Sequence, residues 1–109
     1  MPAGVRLTFA NGQSDLSPGS ADSIKHLVQA APAGDATTFN VMAYATGDPS
    51  DPSAARRLSL ARAIAVRSVL MTSGVPSSRI YLRALGAPPG EQPPDRVDVS
   101  VLGANASQQ

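Results

Sequence analysis

The stretch TGDPSDPSAARRLSLARAIAVRSVLMTSGV, Thr46 to Val75, decides the fold. Its first seven residues, Thr46 to Pro52, are turn formers stiffened by Pro49 and Pro52, and they read as a loop. Ser53 is a plausible cap for the helix that follows. That helix runs to about Ser73, with Leu58, Ala61, Ala65 and Val69 as its apolar positions and Ile64, Val66 and Leu70 beside them. Gly74 ends it, as glycine does just past a helix. Strands are read on either side of this loop and helix.

Those strands are legible. Thr38 to Ala45 alternates, with Phe39, Val41 and Ala43 on one face, the pattern of a half-buried strand. Downstream, Ile80 to Ala84 reads as a third strand. Val97, Val99 and Val101 alternate with Arg96, Asp98 and Ser100 in a fourth, after a Gly/Pro-rich loop from Gly86 to Pro94. Upstream, Val5 to Phe9 alternates, and Ala10-Asn11-Gly12 ends it with turn chemistry. Ser17 or Ser20 then caps a first helix whose apolar positions are Ala21, Ile24, Leu27, Val28 and Ala31. Pro32 to Asp35 stops that helix.

The order is β-α-β-α-β-β. The predicted fold is α/β, an α+β sandwich of one four-stranded mixed sheet with two helices on one face. The 109 residues suit a single domain, 1–109. Its core is expected at about 5–102, with a disordered tail at 103–109.

Composition narrows the function. Net charge is +1 and aromatics are 4%, too little basic excess and stacking surface for a nucleic-acid grip. Nucleic acid is therefore not an expected partner. There is no cysteine, so thiolate zinc sites and cysteine nucleophiles are excluded. The one histidine, His26, lies mid-helix between Lys25 and Leu27, where it reads as a solvated residue rather than a base. No phosphate-loop, dinucleotide or Gly-x-Ser-x-Gly pattern occurs. No catalytic residue, metal ligand or cofactor is predicted. No apolar run is long enough to span a bilayer. Any signal or membrane anchor is expected outside this stretch of chain.

The charge is uneven, with Arg56, Arg57, Arg62 and Arg67 all on the long helix. Arg56, Arg57 and Arg67 read as solubilising residues. Arg62 lies about two and a half turns in, and Ala63 leaves space beside it. A guanidinium held there can grip a carboxylate through two parallel hydrogen bonds. An aspartate on the facing loop can accept from an ammonium group. Together they would clasp a zwitterion.

Leu58-Ser59, Arg62-Ala63, Val66, Leu70, Gly74-Val75 and Arg79-Ile80 carry a family pattern, and Ala84-Leu85-Gly86 fits its later glycine. The chain resembles the OmpA-like C-terminal domain family (OmpA, MotB and the peptidoglycan-associated lipoprotein), as a divergent member, over about residues 5–101. The resemblance implies a non-catalytic periplasmic domain that binds the diaminopimelate of the peptidoglycan stem peptide and anchors an envelope protein to the cell wall. Arg62 matches the family arginine that pairs the ligand carboxylate. Thr46 matches the threonine of Gly-His-Thr-Asp. The aspartate that should follow falls on Gly47, with Asp48 next and Asp51 further along. Asp48 is expected to take the ammonium after a one-residue shift, the loop amides near Gly47 assisting. A different register places Thr46 itself at the acid position. The family's helix-start asparagine is Ala55 here. Its closing Asn-Arg-Arg-Val becomes Pro94-Asp95-Arg96-Val97, which keeps Arg96 and exchanges the other arginine for an acid.

The candidate binding residues are therefore Arg62, Asp48, Thr46, Gly47, Asp51 and Arg96. A second reading takes Gly47, Ala55, Pro94 and Asp95 as losses. The domain would then be a structural or interaction module among other envelope proteins.

Overall fold

A computed structural model describes residues 4–31, 37–47, 50–87 and 94–102. Four strands and two long helices follow the expected order: β1 Gly4–Thr8, α1 Pro18–Ala30, β2 Thr38–Tyr44, α2 Pro52–Thr72, β3 Ile80–Gly86 and β4 Arg96–Leu102. A single 3-10 turn, Ser77–Arg79, leads into β3. The sheet order is β1-β4-β2-β3. β4 runs antiparallel to both β1 and β2, while β2 and β3 are parallel. The sheet is mixed, as expected. The predicted tail and the Pro32 to Asp35 stop lie outside the described residues.

Register explains the core. Leu7 pairs Val97, Val41 pairs Val99, and Phe39 pairs both Val101 and Ile80. Strand residues directly opposite one another share a face, so the alternation seen in sequence becomes one apolar surface. Ile24 and Leu27 of α1 and Ala63, Val66 and Leu70 of α2 close over it. Ser17 caps α1 by accepting from the Ser20 N–H at 3.1 Å.

Two expectations about α2 need correction. Asp51, not Ser53, is the cap: its carboxylate accepts from the Ala54 N–H at 3.3 Å, and Pro52 takes the first helical position. Proline is favoured there because its missing N–H would be unpaired anyway. The buried face is also turned by one residue, about 100°. It consists of Ala55, Ser59, Arg62, Ala63, Val66 and Leu70, rather than Leu58, Ala61, Ala65 and Val69. Hydrophobic periodicity assigns Ser59 and Arg62 to solvent. Both are fully buried.

Candidate functional site

The ends of β1, β2 and α2's first half meet at the start of β4. Opposite Ala43 and Tyr44 the β3 strand bulges by one residue, Leu85, so that Tyr44 pairs Gly86. Bulges re-aim a strand end in this way. Gly86 has φ +70°, a conformation that favours glycine. Its N–H donates to the buried Ser59 hydroxyl at 3.1 Å, which itself donates to the Arg56 carbonyl.

Arg62 lies beneath this junction, 0% exposed. Its Nε donates to the Gln13 carbonyl at 2.7 Å. One terminal nitrogen donates to the Tyr44 carbonyl and to the Asp95 carboxylate, both at 2.9 Å. The other donates to the Ala10 carbonyl at 3.1 Å. A guanidinium has five N–H donors, and these bonds use four of them. The Phe9 ring lies 4.9 Å from its central carbon, within cation–π range. Arg62 therefore ties the β1–α1 loop, the end of β2 and the start of β4 to α2.

Asp95 completes the arrangement. Its backbone carbonyl accepts from the Phe9 N–H at 2.9 Å. Its carboxylate accepts from the Thr46 N–H at 3.0 Å, the Thr46 hydroxyl at 2.7 Å and Asn11 at 3.4 Å, besides Arg62. Burial pushes its pKa up, but the Thr46 bonds and Arg62's hydrogen bond and charge outweigh this and lower it to about 2. The side chain keeps 15% of its surface exposed. It is an ionised carboxylate held directly against the guanidinium.

The expected residues are thus only partly brought together. Arg62 and Thr46 converge, but on Asp95, which the binding set did not contain. Asp51 is committed to capping α2. Asp48 lies outside the described residues. Arg96 is buried, stacked 4.0 Å from the Tyr44 ring, and bonded to Asp98 at 3.1 Å. Gly47 packs on Ala55 so closely that a Cβ would lie 2.6 Å from the Ala55 Cβ. In place of the zwitterion clasp expected at Arg62 the structure has an ion pair, with Asp95 occupying the carboxylate's place on the guanidinium. The signal for Asp95 was present in the sequence, as an acid standing where the family has an arginine.

Gly47 and Ala55 instead line a separate pocket of about 320 Å³, with Pro52, Arg56, Leu85, Gly86 and Ala87. Arg56 is the one charged residue among these described lining residues. Among the described residues no group of acids or histidines could hold a metal ion. No helix among them is long and apolar enough to cross a membrane.

The family model of the OmpA family matches residues 8–101. The chain belongs to the OmpA family. Solved OmpA-like domains share its fold. The C-terminal domain of Helicobacter pylori MotB (residues 125–256) superposes with a TM-score of 0.72 at 20% identity, covering 95% of this chain and 90% of that one. The peptidoglycan-associated lipoprotein of Burkholderia pseudomallei gives 0.69 at 15% identity, covering 89% of each. The OmpA-like domain of FopA1 from Francisella tularensis gives 0.68 at 19% identity, covering 92% and 72%. Comparison with curated protein sequences finds no match.

Proposed function

We propose that this OmpA-family chain is a non-catalytic module of a bacterial envelope protein, acting in the periplasm as a structural or protein-interaction domain, with its stem-peptide clasp shut by its own Asp95. One observation carries this reading: Arg62 spends four N–H donors inside the protein and exposes no surface. A clasp for a zwitterion needs a free cation and a free anion on one groove. Here the two are already joined, and a ligand carboxylate would have to displace Asp95. That exchange gains little, because one carboxylate replaces another at a site already desolvated. The neighbouring pocket supports the same reading. Its described lining offers Arg56 but no acid for an ammonium.

Peptidoglycan association is the second reading. It is favoured by membership of the family and by likeness to a lipoprotein described as peptidoglycan-associated. In that reading Asp95, ionised and 15% exposed, meets the diaminopimelate ammonium, and Arg62 acts by holding it in place.

Retention on purified sacculi separates the two. The first reading expects folded protein to remain in the supernatant. Retention that free diaminopimelate stem peptide competes away, and that Asp95→Asn abolishes in a protein still folded by circular dichroism, would overturn it in favour of the second.

A further inference from the structure

α2 has a second face that neither the core nor the clasp uses. Leu60, Ile64 and Met71 are 45%, 40% and 46% exposed. At about 100° per residue they share one arc of the helix, with Arg56 and Arg67 along one border and Arg57 along the other. From Pro52 to Thr72 there is no acidic residue. The nearest, Asp51, is occupied in capping the helix. Among the described residues no side-chain hydrogen bond or ion pair engages Arg56, Arg57 or Arg67. The result is an apolar strip, edged by cations that have no partner among the described residues, on a helix about 31 Å long at the standard rise.

Charge selects the occupant. A second copy of this chain, meeting face to face, would set arginine against arginine, since a two-fold contact presents the same patch from both sides. Like charges so placed repel. Helices that lie on a lipid surface carry tryptophan, phenylalanine or leucine on the apolar side; of these the strip holds Leu60 alone and no aromatic anchor. Arginine's planar fork suits carboxylates, which it binds through paired hydrogen bonds.

We propose that the outer face of α2 docks an acidic amphipathic protein helix, with aliphatic residues at helical spacing and Glu or Asp flanking them. This rests on the interaction-module reading above and names that module's partner by its chemistry.

The test is fluorescence anisotropy with a labelled synthetic helix matched to α2 in length, leucines on one face and glutamates beside them. A twin peptide carries lysine for every glutamate. The whole chain should bind the glutamate peptide at least about tenfold more tightly than its twin. The double variant Arg57→Glu, Arg67→Glu should reverse that preference, and Ile64→Asp should abolish binding, both with unchanged circular dichroism. Equal binding of the two peptides, or no binding of the glutamate peptide, overturns the proposal. So does a wild-type dimer that Ile64→Asp dissolves, or tighter binding to phosphatidylglycerol vesicles than to the peptide. Sacculus retention reads the clasp and the anisotropy reads α2's outer face, so the two proposals fail separately.

Discussion

Arg62 and Arg57 stand five residues apart on one helix, have the same chemistry, and do opposite things. Arg62 is fully buried and joined to three carbonyls and a carboxylate. Arg57 is exposed, like Arg56. The five-residue offset turns one guanidinium into the core and the other into water. What separates them is the surroundings. Strand ends and the β1–α1 loop bring acceptors to Arg62, and among the described residues nothing comparable reaches Arg57. A buried charge is tolerated only when its partners are all in place. Arg62 meets that condition at the expense of being free for a ligand.

The largest expected effect breaks this contrast outright. Arg62→Ala leaves Asp95 without its counter-charge and three carbonyls without a donor, so it should cost about 3–5 kcal/mol. In a domain of this size that lowers Tm by roughly 15–30 °C, measurable by thermal circular dichroism. Arg57→Ala, scanned alongside, should stay within about 0.5 kcal/mol of wild type.

The second effect is in pH. Asp95 titrates near 2 in the fold against 3.8 ordinarily. A carboxylate with a lowered folded pKa adds stability that is complete above its unfolded pKa and disappears as pH falls through the folded one. Between pH 4 and pH 2 the protein should therefore lose up to about 2 kcal/mol at this residue. Urea melts across that window should show the loss in wild type, and Asp95→Asn should remove this share of the slope.

A smaller effect tests the entrance to the helix. Asp51→Ala deletes the cap of α2 and should cost about 1 kcal/mol in a denaturant titration. Ser53→Ala, the alternative cap suggested by sequence, should cost a few tenths at most. An equal loss in both would contradict the observed start of α2.

The strands were easy to see in the sequence because each buries one face and alternates. Val97-Val99-Val101 and Phe39-Val41-Ala43 point inward as their spacing says. The helix order followed from Gly and Pro punctuation. The phase of α2 was hidden because its buried face includes Ser59 and Arg62, which a hydrophobic pattern counts as outward. Their partners come from chain segments far away: Gly86 lies 27 residues from Ser59, and Asp95 lies 33 from Arg62. No local window contains both members of such a pair. For the same reason Arg62 could be singled out by motif, while Asp95, visible as an acid at a family arginine position, could not be placed opposite it. Asp95 reaches Arg62 only because β4 is inserted between β1 and β2, and strand order is not written in any one strand.

The most direct measurement is nitrogen-15 NMR of the arginine side chains, with Arg62 assigned by difference against Arg62→Lys. A guanidinium locked by the protein should show an Nε–H resonance for Arg62 that exchanges with water far more slowly than those of Arg56 and Arg57. It should not move when a diaminopimelate-containing stem peptide is added. Rapid exchange at Arg62, or a saturable shift of its resonance with the peptide, would contradict the closed clasp.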